Sequence, residues 1–82
     1  MDKESAIRII DLEGLQGYNL NEDRNDKENE VVIKKNGDAW VVYVTDERAS
    51  KITNSLDQYS KESDALDDFI ERLRGDKILR EL

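Results

Sequence analysis

The chain contains no cysteine and no histidine. Their absence excludes a disulfide framework, a thiolate nucleophile, a Cys/His zinc site and an imidazole general base together, and with them most compact routes to catalysis. No apolar run approaches the roughly 20 residues of a membrane span or the shorter core of a signal peptide, and the segment Met1-Asp2-Lys3-Glu4-Ser5 is charged. A cytoplasmic address is therefore the expectation. Aromatic residues are few, at 6 %, while 40 % of residues are charged. Such a balance raises the question of disorder, and periodic apolar segments answer it in favour of a fold.

The 82 residues suit a single domain spanning 1–82, near the size where one core suffices without disulfides or metals. Thirteen basic and twenty acidic side chains leave a net charge of −7. That charge repels phosphate backbones and anionic membranes and attracts basic partners, so neither direct nucleic-acid binding nor membrane binding is expected. It also keeps a small protein soluble, as a monomer or weak dimer.

Asp2 can cap a first helix carrying Glu4 in its opening turn, followed by Ala6, Ile7, Ile9, Ile10 and Leu12 at spacings of three and four. Ile9 and Ile10 would also suit a short strand; helix is the preferred reading. Gly14 and Gly17 end it, and Leu15, Tyr18 and Leu20 alternate like a short extended piece. Residues 21–30 have no apolar side chain to hold them to a core and read as a mobile acidic loop. Its five carboxylates lack the ordered spacing of an EF-hand, so no metal or other cofactor is expected.

Val31-Val32-Ile33 and Ala39 to Val44 are rich in β-branched and aromatic residues, with Asn36-Gly37 between them. This predicts a hairpin in which Ile33 faces Trp40, or a register one residue away if the turn carries a bulge. In either case Trp40, Val42 and Val44 share one face. Ala39, Val41 and Tyr43 share the other, which is too apolar to stand bare in water and calls for a covering helix or partner. Residues 52–59 can return as a third strand. Ser60 then caps a helix closed by Gly75, with Ala65, Leu66, Phe69, Ile70 and Leu73 on one face and Asp64, Asp67, Asp68 and Glu71 opposite. Lys77 to Leu82 read as a separate final turn. The predicted fold class is α+β: a small antiparallel sheet of about three strands packed against an N-terminal and a C-terminal helix.

Paired carboxylates are the one enzymatic option left, but the acids fall on exposed faces without the desolvation that tunes a general acid, so no enzyme is expected. Glu47-Arg48, just past a strand end, pairs a guanidinium fork with a carboxylate and suits either a recognition point or a local ion pair that stiffens the turn. The acidic helix face can imitate a row of phosphates or simply be solvated. Trp40 and Tyr43 read first as packing residues.

The stretch from Trp40 to Ile70 resembles the immunity protein 59 family of bacterial polymorphic-toxin systems. Trp40-Val41-Val42-Tyr43 matches its aromatic-x-Val-Tyr strand, Glu47-Arg48 its Glu-Arg-Gly turn, and Tyr59 to Ala65 leading to Phe69-Ile70 its acidic helix start. Ala49 stands where that pattern has glycine. The resemblance implies a cytoplasmic immunity protein that neutralises a cognate protein toxin by stoichiometric binding; an acidic inhibitor suits a basic nuclease domain. Partner-binding residues are expected at Tyr43, Glu47 and Arg48, with Asp64, Asp67, Asp68 and Glu71 as an electrostatic alternative. The rival reading is an acidic regulatory or nucleic-acid-mimic protein of a mobile element that binds host DNA-binding proteins.

Overall fold

The computed structural model describes residues 1–82. Asp2 caps α1 (Lys3–Glu13): its carboxylate accepts the Ser5 N–H at 2.8 Å, and Gly14, at φ 64°, turns the chain off the helix. There follow β1 (Tyr18–Leu20), β2 (Val31–Asn36), β3 (Ala39–Val44), a short 3₁₀ turn (Thr53–Ser55), β4 (Asp57–Tyr59) and α2 (Glu62–Arg80). The class is α+β, with a four-stranded sheet in the order β1-β2-β3-β4. It is mixed rather than antiparallel throughout, because β1 pairs with β2 in parallel, Tyr18 beside Val31.

That parallel pair determines the path of the 21–30 loop. Two adjacent parallel strands cannot be joined by a tight turn, so the chain has to travel back to the starting end of the sheet before β2 begins. It returns over the face turned away from the helices. Asp26 there accepts the Tyr43 hydroxyl at 2.8 and 3.0 Å and lies 3.6 Å from the Lys34 ammonium. Beneath it Val32, Val41 and Tyr43 form a small buried cluster. The second apolar face is thus covered by the chain's own polar loop, held by hydrogen bonds rather than apolar contacts.

The hairpin turns at Gly37-Asp38 instead of Asn36-Gly37. Asn36 pairs with Ala39 and Ile33 with Val42, two residues from the expected register. Gly37, at φ 66°, supplies the left-handed residue at the first central position, where two-residue hairpins of the II′ type place glycine. A shift of two leaves every side chain on its expected face. Val31, Ile33 and Val42 therefore meet Ala65, Leu66, Phe69, Ile70 and Leu73 of α2, joined by Ala6, Ile10 and Leu15. Phe69 is fully buried and stands edge-on to Tyr18, with ring centroids 6.2 Å apart and planes at 85°.

Both ends of α2 depart from expectation. Lys61, not Ser60, occupies the cap position and makes no side-chain capping bond, while Glu62 and Asp64 favour the first turn through the helix dipole. Gly75 does not end the helix, which runs on to Arg80. A glycine costs an internal helix position roughly 1 kcal/mol. Ion pairs spaced four apart, Asp76–Arg80 and Lys77–Glu81, oppose that cost, as do a Lys77 bond to the Glu13 carbonyl and an Arg80 bond to Gln16. Near the start of α2 the Met1 ammonium meets Asp67, and near its end Arg74 forks onto Glu13 at 2.7 and 2.9 Å. The helices hence run side by side in the same direction.

Candidate functional site

Tyr43 is 3 % exposed and faces the crossover loop. Its hydroxyl is engaged by Asp26, and the Lys51 ammonium lies 4.7 Å above its ring. Burial, with the Asp26 carboxylate beside it, pushes its ionisation well above the ordinary tyrosine value. The structure gives Tyr43 a packing role and no free edge.

Glu47 and Arg48 lie on the exposed turn after β3, and neither side chain has a hydrogen-bond or ion-pair partner. The turn is stiffened by Asp46 instead. Its Oδ1 accepts the N–H groups of Arg48 (2.8 Å) and Ser50 (3.0 Å), and its carbonyl accepts that of Ala49 (3.0 Å). Ala49 adopts φ 62°, the left-handed conformation that its Cβ disfavours. Ala49→Gly is expected to raise stability by about 0.5–1 kcal/mol, the relief of Cβ strain less the extra freedom glycine adds to the unfolded chain. An increased urea midpoint with unchanged slope is the readout; a lowered midpoint would show that the turn is unstrained.

The four acidic residues of α2 separate into different roles. Asp68 is drawn inward: it accepts the Tyr59 hydroxyl at 2.6 Å and two bonds from Arg72, which also reaches Asp57 and the Ser55 carbonyl. The Asp68 bond, with burial, pushes Tyr59 up to about 12. Asp67 holds the Met1 ammonium at 2.8 Å, and Glu71 lies 3.3 Å from Arg74. Asp64 has no partner and is exposed. Nowhere do three acidic side chains converge closely enough to hold a metal ion.

Sequence reasoning missed a second surface. Apart from Ile7 on α1, the large apolar side chains left exposed are Leu12, Ile52, Leu56, Ile78, Leu79 and Leu82. Strand register and helix contacts place them toward one end of the molecule. Leu12 adjoins Glu13, which Arg74 and Lys77 fasten to α2. The Ile52 N–H bonds to Val44 at the end of β3, and Asp76 shares a cleft there with Val31, Val44 and Thr45. The Glu47–Arg48 turn leaves the sheet at this same end. The only sequence signal for the surface was the Ile-Leu-x-x-Leu run from residue 78, which fits neither side of an ordinary amphipathic helix.

Packing around the loop supplies the remaining constraint. Glu30 is 4 % exposed, and both carboxylate oxygens accept from Arg24, at 2.9 and 3.0 Å. Arg24 also reaches the Tyr18 carbonyl, tying loop to β1, and Thr45 bridges the Lys27 carbonyl and the Glu30 N–H. No helix is long and apolar enough to cross a membrane. No family model, curated protein or solved structure matches the chain.

Proposed function

We propose that this chain is an immunity protein, acting in the cytoplasm, that neutralises a cognate toxin by stoichiometric protein-protein binding, with the Glu47–Arg48 turn within the contact. One observation carries the reading: Asp46 fixes the backbone of an exposed turn whose two charged side chains remain unpaired, at the end of the molecule that also leaves six large apolar side chains in water. Four of the six arginines, 24, 72, 74 and 80, are in ion pairs. Arg48 is not, so its fork needs no internal bond broken before it meets a partner carboxylate. The net charge of −7 favours capture of a basic toxin domain.

Affinity capture with the tagged protein from its own cell extract, toxin loci intact, tests the proposal by mass spectrometry of the bound chains. One toxin-like chain at a one-to-one ratio is the expected result, with binding weakened about tenfold or more by Glu47→Ala or Arg48→Ala. Many DNA-binding proteins released by moderate salt would overturn it. That result would favour phosphate mimicry by the exposed acids Asp64, Asp67 and Glu71.

A further inference from the structure

The buried side of α2 is apolar only as far as Leu73, and beyond it the polarity of the helix reverses. At about 100° per residue, Asp76, Lys77 and Arg80 continue the inward side, whereas Ile78 and Leu79 point outward, 63 % and 69 % exposed; Leu82, 94 % exposed, follows just past the helix end. On that outward side Asp64, Asp68, Glu71, Gly75 and Ile78 succeed one another at alternating spacings of four and three, and Leu82 stands four residues further on, past the helix end. This is the seam spacing at which one helix receives the side chains of another. Asp68 is turned inward to Tyr59 and Arg72, Glu71 keeps its Arg74 partner, and Asp67, paired with the Met1 ammonium, flanks the acidic part as Leu79 flanks the apolar part, so Asp64 is the one acid of the face without a partner. Gly75 divides the two parts, with open space where a Cβ would stand, so a second backbone can approach most closely there.

The division determines which occupant fits. A second copy laid parallel would set acid against acid, and laid antiparallel would bury acids under leucines; both are penalised. An anionic lipid surface would repel the acidic half. We infer that the outer face of α2 is a docking seam for an amphipathic helix of a basic protein, with lysine or arginine along the half that meets Asp64 to Glu71 and leucine-like residues along the half that meets Ile78 to Leu82. The inference deepens the immunity reading by giving the chemistry of the partner's contacting element, and rests on that reading only for the partner's identity.

Two lactam-stapled helical peptides test it on the full chain, one with lysines preceding leucines at this spacing and one with the order reversed; a scrambled peptide of equal composition is the control. Titration into ¹⁵N-labelled protein is expected to shift amides along Asp64 to Leu82 with one of the two orientations and not with the control. Leu79→Glu, at an exposed position, loosens that binding at least about tenfold, and Glu71→Lys loosens it and flattens its salt dependence. The inference is overturned if neither orientation binds, if the shifts map elsewhere, or if Leu79→Glu leaves affinity unchanged. It is equally overturned if sedimentation shows the chain alone as a dimer that Leu79→Glu dissociates, or if phosphatidylglycerol vesicles bind it through Leu79. The two readings separate cleanly. Peptide binding with no toxin captured from cells removes the immunity reading and keeps the seam, whereas undiminished toxin capture by the Leu79→Glu protein removes the seam and keeps the immunity reading.

Discussion

Arg24→Met is expected to be among the most damaging single substitutions, because it leaves Glu30 buried without its counter-ion. The Glu30 side chain is 3 % exposed, and apart from the Arg24 fork its carboxylate accepts only the Lys27 N–H, at 2.8 Å. Stripping the partner from a buried carboxylate costs about 3–5 kcal/mol. A domain of this size has about 4–12 kcal/mol in total, at roughly 0.05–0.15 per residue. Urea unfolding followed by Trp40 fluorescence measures the loss; a change below about 1 kcal/mol would mean that Glu30 is solvated. Arg24→Met with Glu30→Leu should recover part of the loss, since an apolar pair of similar volume removes the unpaired charge.

The same pair sets a pH dependence whose sign reverses in the variant. In the wild type, burial pushes the Glu30 carboxyl up, but the Arg24 and Lys27 bonds more than offset it, so its pKa lies below the ordinary 4.5. A depressed folded pKa means that the stabilisation is complete above 4.5 and fades as pH falls through the folded value. Without Arg24 burial dominates and the folded pKa rises above 4.5. The variant then gains stability as pH falls through that raised value toward 4.5, a range in which the wild-type pair holds steady.

Phe69→Ala is the second large effect, at about 3–5 kcal/mol for a fully buried ring. Phe69 joins α2 to the sheet and meets Tyr18 edge-on, so its removal loosens the parallel strand as well as the helix. At about 4–8 °C per kcal/mol for a domain of this length, the melting midpoint should fall by more than about 12 °C. Phe69→Leu should restore most of the loss. Equal midpoints for Phe69→Ala and the wild type would show that the site collapses without residual cavity.

Much of the fold was legible because it is encoded in periodic apolar residues. The faces of α2, the cap at Asp2 and the alternation around Trp40 to Val44 follow from spacing alone. The parallel placement of β1 does not, because Tyr18-Asn19-Leu20 is too short to signal direction. Nor does the crossover, whose contacts are hydrogen bonds donated by Arg24 and accepted by Asp26 and Glu30, residue types that also suit a solvated loop. Gly75 misled because a glycine stops a helix only when tertiary contacts do not carry it onward, and here Lys77 and Arg80 bind residues more than sixty positions away. The position of Glu47–Arg48 just past a strand end was legible, whereas the lack of any ion pair there was not. The packing role of Tyr43 was legible from its place in a β-branched strand, whereas the loop that covers it depends on the crossover and was not.

The strand order also bears on aggregation. Ala39 to Val44 has the composition of a cross-β segment, β-branched and aromatic without charge, and β2 begins with three more such residues. Both lie inside the sheet, and the edges are three-residue strands, Tyr18–Leu20 and Asp57–Tyr59. Such short edges offer little template for a foreign strand. The adhesive segments become available only when an edge peels away, so variants that loosen the Arg24–Glu30 lock beside β1 should aggregate before they unfold completely.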